Sequence, residues 1–110
     1  MDDAARRKLL GLIGLGARGR MVVVGVERVR EAALRGKLAL AVVAPDASRH
    51  SLDKVVPLLT ARHVRLIRGP SATELGAVVG RESTAAVGVV DRQLANGIRE
   101  LLESSSSRAQ

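Results

Sequence analysis

The sequence predicts an α/β fold, a three-layer α/β/α sandwich on a four-stranded central sheet. Stretches with apolar residues at helical spacing alternate with four short runs that are β-branched or wholly apolar, and this alternation packs best as a sheet with helices on both faces. Glycine or proline punctuates most junctions. A chain of 110 residues with 46% hydrophobic residues can also bury one core without disulfides or metals, covering roughly two-thirds of the surface the unfolded chain exposes. Residues 1–103 therefore read as a single domain.

Residues 4–16 form the first predicted helix, since Leu9, Leu10, Leu12, Ile13 and Leu15 recur at helical spacing and Gly16 or Gly19 ends the run. Arg20-Met21-Val22-Val23-Val24 is the first strand, halted by Gly25. From Val26 to Leu34, Val26, Val29, Ala33 and Leu34 share one face of a second helix that Arg35-Gly36 closes. Leu38–Ala44 is apolar throughout, which suits a strand covered on both faces in a parallel sheet. Pro45-Asp46-Ala47-Ser48 breaks it, and a third helix spans about Ser51 to Ala61, with Pro57 either kinking it or starting its usable part. Val64–Arg68 is the third strand. Gly69-Pro70-Ser71 then leads a fourth helix, in which Ser71 and Glu74 have capping-box spacing and Gly80 is the stop. Thr84–Val90 and Arg92–Glu103 complete the pattern as strand and helix, and the serine-rich segment 104–110 reads as a disordered tail.

Eighteen Lys and Arg against eleven Asp and Glu give a net charge of +7, with the excess in the first two-thirds of the chain. Such a balance favours a polyanionic partner. The absence of cysteine excludes disulfide frameworks, thiolate metal sites and thiol nucleophiles, and fits a reducing, cytoplasmic setting. The absence of Phe, Tyr and Trp excludes domains that stack bases on aromatic rings. The opening Met1–Lys8 leads into a short apolar stretch broken by Gly11, Gly14 and Gly16, so neither a targeting signal nor a membrane span is expected.

Enzymatic signatures are weak. Gly14-Leu15-Gly16-Ala17-Arg18-Gly19 spells a dinucleotide fingerprint, yet it follows a helix and precedes a strand, the reverse of the required order. His50 and His63 lie thirteen positions apart without metal-ligand spacing, and no phosphate loop, nucleophile elbow or carboxylate pair is present. No catalysis, metal or cofactor is predicted.

The stretch from Gly25 to Gly36 is more informative, because it puts a glycine turn at a helix N-terminus in a basic region, where free backbone N–H groups can receive a phosphate. Arg28, Arg30 and Arg35 could meet phosphates or guanine edges, and Glu27 could accept from guanine. The plainer alternative is a solvated helix face with ion pairs such as Glu27 with Arg30 and Glu31 with Arg28 or Arg35.

Several landmarks now fall in one order: Leu9-Leu10-Gly11-Leu12, the Gly25 turn, Ala32-Ala33-Leu34-Arg35-Gly36, Ala44-Pro45-Asp46-Ala47, Glu74-Leu75-Gly76, and Gly80 before Ala85-Ala86-Val87-Gly88-Val89. On these the chain from about Leu9 to Leu102 resembles the ribosomal protein L-seven-Ae superfamily of kink-turn RNA-binding proteins, including its bacterial branch. The resemblance implies the same α/β/α architecture and a site in which the glycine turn is followed by a small residue, an Asn, a Glu and, three positions later, a Lys. The matching positions here are Val26, Glu27, Arg28 and Glu31, and all three polar ones depart from that pattern. The family's second contact, a loop before the last strand, maps onto Arg81-Glu82-Ser83-Thr84, without the usual apolar residues. A lysine common early in the second strand is Ala39 here, with Lys37 close by.

The expectation is a cytoplasmic, monomeric RNA-binding protein that meets structured, kink-turn-like RNA, in association with ribosomes and ribosomal proteins. Arg20 and Lys37 would form a positive rim, Gly25 and the helix start would seat a phosphate, Glu27 and Arg28 would read base edges, and the 81–84 loop would close over the RNA. The competing expectation is a protein-interaction module that kept the fold and lost RNA binding.

Overall fold

The structure, a computed structural model, describes the backbone of residues 1–108 and the side chains of residues 1–104. Its elements follow the predicted order: α1 (Asp3–Arg18), β1 (Val22–Val24), α2 (Val26–Leu34), β2 (Leu40–Val43), α3 (Arg49–Ala61), β3 (Arg65–Arg68), α4 (Ala72–Val78), β4 (Ala86–Val89) and α5 (Arg92–Arg108). The strands form one sheet in the order β1-β4-β2-β3. The predicted three-layer sandwich is the observed fold.

Alternation along the strands separates two cores. Leu40 and Val42 of β2, Ile67 of β3 and Val87 and Val89 of β4 face α1, α4 and α5, where they meet Leu9, Ile13, Leu75, Ala95 and Ile98. Ala41 and Val43, with Ala86, face α2 and α3 and meet Val29, Ala33, Val55 and Leu59. Gly88 belongs to the second face because a methyl there would collide with Leu38 and press on Val23 and Val29.

The sheet is mixed rather than parallel. β2 runs parallel to β3 but antiparallel to β4, and β4 also pairs antiparallel with β1. The apolar run Leu38–Ala44 records burial on both faces, and that burial does not depend on the direction of the neighbouring strand.

Some boundaries move for local reasons. α1 continues past Gly16 to Arg18, and Gly19 caps it. Arg20 lies outside the strand in a left-handed turn with φ 59°. On α2, Ala32 is buried while Leu34 is 51% exposed, so the apolar face turns one residue from the predicted stripe. α3 starts at Arg49 because the Ser48 side chain accepts from the Ser51 amide at 3.1 Å. It then runs through Pro57, which is exposed, so the carbonyl left without a donor one turn earlier lies toward water. α5 does not stop at Glu103 but stays helical through Arg108. Serine costs a propagating helix only about 0.5 kcal/mol per residue relative to alanine, so the four serines extend it instead of starting the expected tail. The end of that tail, residues 109–110, lies outside the described residues.

Among the described residues, no helix is long and apolar enough to cross a membrane. The fingerprint-like glycines lie within or at the end of α1. Gly16 is buried, and a methyl there would collide with Leu94, so this glycine lets α1 pack closely against α5.

Candidate nucleic-acid interface

The C-terminal ends of β1, β2 and β3 and the N-terminal end of β4 meet at one rim of the sheet, which gathers four connections in one place. Backbone bonds tie them together. Gly25 N–H donates to the Ala86 carbonyl, Ala44 N–H to that of Ala85 and Gly69 N–H to that of Val43, each at 2.9 Å. The Asp46 carboxylate accepts from the Ala72 amide at 2.9 Å, and Thr84 N–H donates to the Ala72 carbonyl at 3.1 Å. The 81–84 loop lies directly on α4 at Gly76: a Cβ there would sit 2.5 Å from Ser83 Cα and 2.7 Å from its nitrogen. Arg81 N–H closes this contact on the Gly76 carbonyl at 2.8 Å.

At the same rim Gly25 has φ 98° and ψ 156°, backbone that side-chain-bearing residues avoid, and it opens α2. Asp2, Ser48, Ser71 and Asp91 each accept an amide hydrogen bond at the start of another helix. Gly25 offers no side chain to do so, and α2 is the one helix among the described residues without a side-chain cap. Its first-turn N–H groups, at the positive end of the helix dipole, are left for an outside acceptor.

A groove of about 540 Å3 runs along β1, which is an edge strand. Val22, Val23 and Val24 form its floor, while Arg20 of the α1–β1 turn, Arg28 of α2 and Arg81 of the α4–β4 loop line it. Three residues of strand span only about 10 Å, so the turns before and after β1 can face the same cleft. No carboxylate lines the groove, and none of the three guanidiniums enters an ion pair among the described residues. Arg28 also borders a second groove of about 220 Å3 with Glu31, Arg35 and Lys37. There Glu31 pairs with Arg35 at 3.1 Å, which offsets the carboxylate one turn from Arg28.

The structure thus brings Arg20, Gly25, Arg28, Glu31, Lys37 and Arg81 to one edge. Val26 is half-buried against the α2–α3 core. Glu27 lines neither groove; its side chain, 77% exposed, reaches Lys54 of α3 at 3.4 Å rather than Arg30. Arg30 turns the same way and donates to the Lys54 carbonyl, so it holds α2 on α3. Thr84 is buried, and its hydroxyl donates to the Ala86 carbonyl at 3.2 Å, leaving Glu82 and Ser83 as the exposed polar members of that loop with Arg81. Sequence reasoning missed the valine floor, because nothing local marks β1 as an edge strand.

Comparison with known proteins identifies the family. The profile of the ribosomal protein L7Ae/L30e/S12e/Gadd45 family matches residues 7–101. The RNA-binding protein YlxQ of Bacillus subtilis (strain 168) is 30% identical over 92 residues, covering 84% of this chain and 92% of that protein. A protein of unknown function from Bacillus halodurans superposes with a TM-score of 0.79 at 26% identity, over 87% of this chain and 97% of its own. The Giardia lamblia 15.5kD RNA binding protein has the same TM-score, 0.79, at 20% identity, over 97% of this chain and 92% of its own, a likeness of fold. With the fold, the glycine turn and the family match in agreement, this chain belongs to the ribosomal protein L7Ae/L30e/S12e/Gadd45 family.

Proposed function

We propose that this protein binds structured RNA of the kink-turn type along the free edge of β1, in the cytoplasm, as a monomer and in association with ribosomes. The observation that carries the reading is the convergence of Arg20, Arg28 and Arg81 on one carboxylate-free groove beside the uncapped start of α2. Planar guanidiniums and free backbone N–H groups are the donors that phosphate oxygens accept from most readily. The family membership and the printed RNA-binding role of the Bacillus subtilis relative support the same reading.

In this arrangement a phosphate sits on the α2 amides after Gly25, and Arg20, Arg81 and Lys37 follow the backbone on either side. Arg28, which borders both grooves, reaches the base edges. Glu27 can join it, since an exposed pair such as Glu27–Lys54 is worth about 0–1 kcal/mol and is readily exchanged for a guanine donor. Glu82 and Ser83 supply polar contacts where the loop meets the RNA.

Titrating the 15N-labelled protein with a kink-turn RNA tests this placement. The amides of Arg20, Gly25–Arg28 and Arg81 should shift together. Shifts confined to the opposite edge, around Arg65 and Arg68 of β3, would overturn it.

The second reading, a protein-interaction module without RNA, draws on the reversed charges at Arg28 and Glu31, where the resemblance implies Glu and Lys. Purification at low and high salt separates the two. RNA held on the β1 edge is shed as salt rises through counterion release, whereas a protein partner leaves with far weaker salt dependence.

A further inference from the structure

A second cleft, separate from the grooves at β1, lies between α1, α4 and α5, with a volume of about 790 Å3. Lys8, Gly11, Leu15 and Arg18 line it from α1 at spacings of three and four, hence as one stripe of that helix. Leu15 stands 59% exposed in it. Gly11 leaves its floor open, since a methyl there would meet nothing within 4 Å. Leu101 of α5 contributes to the lining. The two charged lining residues, Lys8 and Arg18, are both basic, lie near opposite ends of the stripe, and enter no ion pair among the described residues.

We propose that this cleft docks an acidic amphipathic helix of a partner protein, its apolar face over Leu15 and Gly11 and its carboxylates on Lys8 and Arg18. Ten residues of α1 separate the two cations, a rise of about 15 Å, so a partner helix of three to four turns with carboxylates ten or eleven residues apart reaches both. Charge argues against a second copy of this chain. An antiparallel self-pairing would set Lys8 against Arg18 of the other copy, in a molecule already at +7, and like charges across an interface are costly. RNA fits this cleft less well than the β1 groove, because only two cations, about 15 Å apart, border an otherwise apolar lining, and the starts of α1, α4 and α5 are all capped by side chains.

The test pans the full chain against a displayed library of helix-forming peptides of about 18 residues, with a fixed leucine face and the other positions free to be Glu, Lys or Ala. Selected peptides should carry Glu at positions ten or eleven apart. Leu15→Glu should weaken them by about tenfold or more while leaving RNA affinity unchanged. The Lys8→Glu, Arg18→Glu pair should weaken them similarly, whereas the charge-matched pair Arg65→Glu, Arg68→Glu on β3 should not. The proposal is overturned if no peptide is enriched, if Lys is selected over Glu, or if the β3 pair weakens binding as much as the pair at the cleft, since general attraction to a basic protein then explains it.

Discussion

Arg28 and Gly25 carry the residue-scale account. Arg28 borders both grooves, so Arg28→Ala should cost about 1–3 kcal/mol of RNA affinity if it reads a base edge, and should relax preference at that base. Lys37→Ala should instead lower the slope of log affinity against log salt by about one, as loss of a phosphate contact does. Titrations at several salt concentrations distinguish the two. At Gly25 an added methyl meets nothing within 4 Å, so the cost of Gly25→Ala is all backbone. It should destabilise by about 1–3 kcal/mol in urea unfolding, and a neutral result would contradict the conformational role given to the turn. Both residues were legible in the sequence, as a glycine stop and a basic helix start. The partner of Glu27 was not: Lys54 lies 27 positions away on α3, and only the packing of α2 on α3 brings the two together.

At the scale of elements, the contact between α4 and the 81–84 loop holds Arg81 in the groove. Gly76→Ala places a methyl against Ser83 and Arg81 backbone, which cannot give way as a side-chain tip can. We expect a loss of about 1–3 kcal/mol in stability, with weaker RNA binding as the loop lifts. Thermal unfolding and RNA titration of the same variant report the two effects. The start of α1 supplies a pH test. The Arg6 hydrogen bond to Asp3, with the charges of Arg6 and Arg7, holds the Asp3 carboxyl below its ordinary value of 3.8. A carboxyl with a lowered folded pKa stabilises above its unfolded value and loses that contribution as pH falls through the folded one. Asp3→Asn should therefore lower the melting temperature slightly at neutral pH and converge with the parent in strong acid. Arg6 also pairs with Glu74, the residue that completes the α4 capping box, so α1 and α4 share one polar clasp. The box itself was legible from the Ser71–Glu74 spacing. The start of α3 and the length of α5 were not, because the Ser48 cap looks like the rest of its loop and serine is only mildly averse to helix.

For the whole molecule, alternating periodicity was enough to predict five helices, four strands and the layers, because each layer writes its burial into nearby sequence. The strand order was not legible: β4 inserts between β1 and β2 through pairings more than forty residues apart, such as Val42 with Val87. That insertion leaves β1 at an edge and so creates the groove, which is why its residues could be nominated one by one while their meeting place could not. The charge of +7 acts on a larger scale, drawing in any polyanion and complicating every binding assay. The most direct test of the central claim is therefore the affinity for a labelled kink-turn RNA beside a plain duplex of equal length, each at two salt concentrations. The account predicts that preference for the kink-turn survives at the higher salt. Equal binding to both RNAs, abolished alike by salt, would contradict it and leave charge alone as the explanation.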